Sequence, residues 1–193
     1  MIRRLVALAS LLLALLPSLA WDADRMTQAA QRVGPRAVAS VRLLQPLLAQ
    51  AAEMDDDAKL QAINQFFNHR VTYAEDIDVW GQIDYWASPL EMLGQARGDC
   101  EDYAIAKYFS LVAAGMSVAK LRMVYVRAQL GGVGGAVQAH MVLAYYASPN
   151  AEPPDSAMAS IRSGQITSRT PLHCRRGRSA ALAMIFPLAS NGS

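Results

Sequence analysis

Cys100 stands among three carboxylates in the run Gly98-Asp99-Cys100-Glu101-Asp102-Tyr103, and a histidine follows forty residues on in Gln138-Ala139-His140-Met141. A thiol is a nucleophile only as thiolate, and it needs a base or a positive environment to become one. With Asp99 as N-cap, Cys100 falls in the first turn of a helix, and Asp99-x-x-Asp102 resembles a capping box. The unpaired N–H groups of that turn favour thiolate, whereas the neighbouring carboxylates oppose it. Two compatible remedies exist: a nearby imidazolium, for which His140 is the natural source, and a bound cation that takes up the carboxylates.

Other uses of these residues stay open at this level. Asp99 and Asp102 can serve simply as caps beside an inert buried thiol. Cys100 and Cys174 are the only two cysteines, so an oxidising compartment would allow one disulfide. Zinc needs paired ligands at short spacing, and neither Cys-x-x-Cys nor His-x-x-x-His is present. Asp99, Glu101 and Asp102 are hard oxygen donors suited to calcium, although their spacing is not that of an EF-hand.

The elements that must position this chemistry can be read from periodicity. Residues 24–52 read as helix, with Val33, Ala37, Val41, Leu44 and Leu48 on one apolar face and Pro35 and Pro46 as breaks or kinks. Asp55-Asp56-Asp57 opens a second helix whose buried face is Leu60, Ile63, Phe66 and Phe67. Residues 68–87 are irregular, with Trp80 and Trp86 expected in the core, and Pro89 marks a turn before a short segment. A helix from about Cys100 to Ala114 stops at Gly115. Residues 121–128 and 139–146 then read as strands of a hairpin joined by the glycine-rich turn 131–135. Helices followed by strands predict an α+β fold with an antiparallel sheet.

The chain's 193 residues suit one domain, and a net charge of +2 gives no basic footprint for nucleic acid. Arg3 and Arg4, the apolar run from Leu5 to Leu16 and the small residues before Trp21 form a secretory signal peptide over residues 1–20. The run is shorter than the ~20 residues that span a bilayer, so the protein is expected to be exported and not membrane-spanning after cleavage. Beyond Pro154 the character changes. Residues 156–193 hold five arginines and no acid, and only the stretch 180–188 looks able to pack.

Three motifs together resemble the bacterial transglutaminase-like cysteine proteinases of the LapG type. They are Asp84-Tyr85-Trp86-Ala87-Ser88-Pro89-Leu90-Glu91, the run from Gly98 to Tyr108, and the run from Gln138 to Tyr146. The resemblance covers residues 21–153. It implies a papain-like, transglutaminase-like core in which the nucleophile helix packs on an antiparallel sheet. It also implies Cys100 as nucleophile, His140 as base, and Ca²⁺ held by Asp99, Glu101 and Asp102. The location implied is periplasmic, the substrate a large surface adhesin cut near its N-terminus, and the inhibitor an inner-membrane cyclic-di-GMP receptor. Pro149-Asn150-Ala151-Glu152-Pro153 matches the family's turn after the histidine strand, but the position of the third triad residue falls on Ala157. The nearest acid is Asp155. A two-residue offset along a strand moves a side chain about 6–7 Å, too far to serve the same imidazole in the same way. Residues 154–193 are therefore read as an atypical, Arg-rich tail, frameshifted or otherwise replaced, that leaves the sheet incomplete.

Overall fold

The computed structural model describes residues 22–130, 137–147, 160–161 and 181–184. The leader, the glycine-rich turn, Asp155, Ala157 and Cys174 lie outside the described residues.

The expected N-terminal helix is two helices, α1 (Ala23–Val33) and α2 (Pro35–Ala52). Asp22 caps α1 by accepting from the N–H groups of Asp24 and Arg25 at 3.0 and 3.1 Å. Gly34 then adopts φ 141°, and Pro35 starts α2 at the position where a missing N–H costs least. Pro46 sits inside α2 without ending it. Because the helical phase is reset at Gly34, Val33 does not share the buried face of Ala37, Val41, Leu44 and Leu48; it is 41% exposed. It packs instead where α5 approaches: a Cβ on Gly94 would lie 2.6 Å from its Cγ1.

Helix α3 (Asp56–Arg70) is capped by Asp55, with acids in its first turn and His69 and Arg70 in its last, in accord with the helix dipole. Leu60, Ile63, Phe66 and Phe67 are buried as their spacing predicts. The region that looked irregular contains a two-residue strand, β1 (Thr72–Tyr73), and a short helix, α4 (Asp76–Trp80). Helix α5 (Pro89–Gln95) opens with a complete capping box between Ser88 and Glu91. It ends at Ala96, a non-glycine residue at φ 53°. Strand β2 (Arg97–Gly98) pairs in parallel with β1, and α6 (Cys100–Ala113) begins directly after it.

Strands β3 (Leu121–Leu130) and β4 (Val137–Tyr146) form the expected antiparallel hairpin, with Val126 opposite His140. Two short strands from beyond Pro154 extend it. Strand β5 (Ser160–Ile161) runs parallel to β3, and β6 (Ala181–Met184) runs antiparallel to β4, giving the order β5-β3-β4-β6. The tail thus adds strands to a sheet expected to be incomplete: β6 falls in the stretch 180–188 that looked able to pack, and β5 lies outside it; a free strand edge accepts a segment able to extend. Helices followed by a mainly antiparallel sheet, with α6 packed against β3 and β4, make this an α+β fold. Among the described residues no helix is long and apolar enough to cross a membrane.

Helix α6 is the centre of the packing: Tyr103, Ala104, Ala106, Lys107 and Leu111 are all fully buried. The Tyr103 hydroxyl donates to the carbonyl of Val71. The Lys107 ammonium donates to the Asn64 and Asn68 side-chain carbonyls at 2.7 Å each. At the other end of the sheet, Asp56 accepts from the Lys120 ammonium and, at 2.7 Å, from the Tyr145 hydroxyl, tying α3 to β4 and to the turn that leads into β3. These two hydrogen bonds hold the Asp56 carboxyl below its usual range.

A carboxylate held below its unfolded pKa contributes stability above that value and loses it as pH falls through the folded one. Asp56→Asn is therefore expected to cost about 1–2 kcal/mol near neutral pH. In urea unfolding the gap between parent and variant should stay level down to pH ~5 and close below pH ~4.

Candidate functional site

The β1–β2 pair builds the floor of the site. Thr72 N–H donates to Ala96 O and Ala74 N–H to Gly98 O, both at 3.0 Å. This brings Asp76, which opens α4, beside the turn that opens α6. Asp99 occupies the N-cap position of α6, but its side chain makes no capping bond. It is drawn into a group of buried acids instead. Donor oxygens of Asp76, Asp99 and Asp102 lie within 4.8 Å of one another, and Asp76 shares a second such group with Asp84 and Glu101. The three acids expected to act together, Asp99, Glu101 and Asp102, are thus divided between two groups joined through Asp76.

Each acid of the first group has a buried oxygen without a hydrogen-bond partner, and in two of them the other oxygen is committed. Asp102 accepts from Ala87 N–H at 2.8 Å, and Asp76 accepts from Tyr85 N–H. Asp76 Oδ1, Asp99 Oδ1 and Asp102 Oδ2 are buried and unpartnered. Burial, reinforced by mutual repulsion, pushes Asp99 up to about 8 and Asp102 up to about 7. Gly98 is required by closeness: a Cβ there would lie 2.7 Å from Asp102 Oδ2 and 3.1 Å from Met92 Cγ. Converging, buried, acceptor-only oxygens are the donor set of a hard cation. Neither group includes Cys100 or His140, so the acids and the thiol–imidazole chemistry do not compete for one ion of the zinc type.

Asp76 and Asp84 were not singled out as ligands in the sequence, because no short spacing links them to Asp99. Their positions depend on the 81–88 loop, which is fastened at several points. Trp80 and Tyr85 stack with ring centroids 4.5 Å apart, and the Tyr85 hydroxyl donates to Glu91 at 2.9 Å. Trp86, expected in the core, is 52% exposed on this loop, since its neighbour Ala87 is the residue turned inward to Asp102.

Cys100 is the first residue of α6, where the helix meets β4. Its thiol donates to Glu101 Oε2 at 2.9 Å, and the Met141 N–H donates to its sulfur at 3.4 Å. The sulfur therefore touches β4 at the residue immediately after His140, which is itself buried. Cys100 carries a free thiol. Burial, with the bond to Glu101 adding to it, pushes that thiol up to about 12. Burial thus joins the carboxylate side of the conflict seen in the sequence, and the two together favour the protonated thiol. Burial also moves His140 below its usual value, while the charges of Glu101 and Glu75 act in the opposite sense. The arrangement can perform thiol chemistry once positive charge offsets the carboxylates around the sulfur.

Comparison with known proteins accords with this geometry. Residues 44–146 match the family of bacterial transglutaminase-like cysteine proteinases (BTLCP). Among solved structures, EGTA-treated LapG of Legionella pneumophila is 32% identical, with 69% of this chain and 68% of that one covered and a TM-score of 0.57. Calcium-bound Legionella pneumophila LapG is likewise 32% identical, covering 67% of this chain and 68% of that one with a TM-score of 0.56. Comparison with proteins of curated function found no match. A cysteine-bearing helix laid against a histidine strand, matched over more than half of the sequence, makes this chain a member of the bacterial transglutaminase-like cysteine proteinase family.

Proposed function

We propose that the protein is a calcium-dependent periplasmic cysteine endopeptidase that cleaves the N-terminal region of a large surface adhesin, releasing it and promoting biofilm dispersal. Control by an inner-membrane cyclic-di-GMP receptor belongs to the same reading. The family resemblance supports the adhesin and the receptor, and the leader-like residues 1–20 support the periplasmic location. The observation that carries the catalytic part is the contact of the Cys100 sulfur with the backbone of Met141, directly beside His140.

In this reading His140 accepts the thiol proton, and the Cys100 sulfur attacks the scissile carbonyl carbon. The tetrahedral adduct collapses as imidazolium protonates the leaving amine, leaving a thioester on Cys100. Water then attacks the thioester, giving its proton to His140, and the carboxylate product leaves with the thiol restored. Backbone N–H groups in the first turn of α6 are available to the developing oxyanion. The acid nearest to the family's third position is Asp155, two residues short of it.

The unpartnered oxygens of Asp76, Asp99 and Asp102 fit calcium, with Glu101 contributing from the second group. The ion would supply positive charge to carboxylates that otherwise repel one another and raise the thiol pKa. The calcium-bound form of the relative supports this assignment.

A second reading, a calcium- and partner-binding homologue without peptidase activity, is favoured by one observation: Ala157 stands where the family places its third triad residue. Incubation of the purified protein with an adhesin N-terminal fragment separates the two. Cleavage that requires calcium, stops with chelator and is absent from Cys100→Ala and His140→Ala supports the enzyme. A folded protein that binds calcium but leaves the fragment intact supports the second reading.

Asp76→Asn removes the acid common to both groups and should raise the calcium concentration needed for half-maximal binding roughly tenfold or more, read by calorimetry. In chelator, alkylation of Cys100 by iodoacetamide should climb steadily from pH ~7 to ~10 without a plateau, because the thiol titrates above that range. Glu101→Gln should accelerate alkylation at every pH in that range, since the carboxylate that retains the thiol proton has lost its charge.

A further inference from the structure

Tyr125 is an aromatic side chain on β3 that is 63% exposed. The sheet register fixes its place relative to Cys100, because it pairs with Met141 across the hairpin. The Met141 N–H donates to the Cys100 sulfur, so it turns away from β3, and the pair is of the non-hydrogen-bonded kind. In such pairs the Cα atoms approach to about 4.5 Å and the two side chains stand together on one face of the sheet. On that face Met141 is buried, whereas Tyr125 is open, since α6 packs mainly on β4 and only marginally on β3.

We propose that Tyr125 is a substrate-binding residue, whose ring packs against an apolar side chain of the peptide close to the bond that Cys100 attacks. This role rests on the peptidase reading of Cys100. The charges of the site reach the Tyr125 hydroxyl: after desolvation, those of Glu101, Asp84, Cys100 and Asp99 hold it above its usual value. The phenol end of the ring therefore stands within electrostatic reach of the thiol and of both acid groups. Met123, two residues back on the same face, is 45% exposed. It extends the apolar strip by about 6–7 Å along β3.

The position of the strip names its occupant. A peptide carbonyl carbon that meets the Cys100 sulfur lies beside Met141, whose N–H touches the same sulfur. Successive residues of an extended chain advance by about 3.3 Å, so side chains one to three residues from the scissile bond come within reach of the ring and of Met123. Tyrosine offers a broad apolar face with few torsions to fix, and methionine adapts to varied partners. Such a surface favours an apolar side chain near the scissile bond and offers little to a charged one. Strand propensity alone would accept tyrosine at this position, but it gives no reason for an exposed ring beside the thiol. Because the ring is outside the core, stability and substrate binding can be read separately.

Steady-state cleavage of the adhesin N-terminal fragment in calcium, with fragment binding measured in parallel on the Cys100→Ala form, tests this role. Tyr125→Thr keeps a strand-forming residue at an exposed position and should unfold within about 2 °C of the parent. It should raise KM about tenfold, leave kcat within about twofold, and weaken fragment binding in the Cys100→Ala background by the same factor as KM. Tyr125→Phe, which retains the ring, should match the parent in both assays. Unchanged KM and affinity in Tyr125→Thr would overturn the role and leave the peptidase reading standing. A loss of kcat alone, or an equal loss of affinity in Tyr125→Phe, would also overturn it, since the ring would then not be what binds. A protein that binds the fragment without cutting it sinks the peptidase reading, while the affinities still decide whether Tyr125 holds the chain. A fragment that is neither bound nor cut overturns both. Should Tyr125→Thr fail to fold, Tyr125→Val carries the same comparison.

Discussion

The structure is organised around the mutual repulsion of carboxylates buried at the start of α6. Asp76, Asp99 and Asp102 place unpartnered oxygens within reach of one another, an arrangement that costs free energy unless protons or a cation share the space. The surrounding backbone is built to hold it. The β1–β2 pair brings Asp76 to the α6 turn, the missing side chain of Gly98 leaves room for Asp102, and the N–H of Ala87 fixes the other Asp102 oxygen. Protonation relieves the strain in one way, as the raised values of Asp99 and Asp102 indicate; a hard cation would relieve it without removing the charges.

The same charges govern the thiol. Cys100 and His140 lie on different elements, brought near by packing of α6 on β4; His140 is buried and Cys100 partly so. Burial favours the neutral form of each. Glu101 connects the two halves of the site, accepting the thiol proton on one side and joining Asp76 and Asp84 on the other. The acid cluster and the thiol therefore share a residue, which follows from the adjacency of positions 100 and 101.

Rigidity behind the site comes from the remainder of α6. Two large polar side chains in the buried interior of this helix are held by local hydrogen bonds. Tyr103 reaches the end of α3 through Val71, while Lys107 rests between Asn64 and Asn68 with its ammonium 5.0 Å from the Tyr103 ring. Burial drives Lys107 well below the ordinary lysine value. Breaking such contacts would leave buried polar atoms unpaired, so the helix has little freedom to move the thiol away from β4.

Local rules made much of this legible. The acidic opening of α3 at residues 55–57, its apolar face, the stop at Gly115 and the hairpin depend on residues near one another in the chain, as do the motifs around Cys100 and His140. Gly34 restarted the helical phase, so Val33 was misread from a periodicity that continued through it. Asp99 and Asp102 carried the spacing of a capping box, yet their side chains answer to Asp76 and Ala87, and Trp86 turned outward because Ala87 turned in. Asp76 and Asp84 could not be assigned from spacing, since a parallel two-residue pairing and a folded-back loop bring them to Asp99, Asp102 and Glu101. By itself the sequence determined the reactive groups and the helix and strands that carry them, because hydrophobic period, capping and residue chemistry are local properties. Tertiary structure alone decided which acids converge and how far burial shifts the thiol, because Coulomb repulsion and desolvation depend on distance through space and on what excludes water.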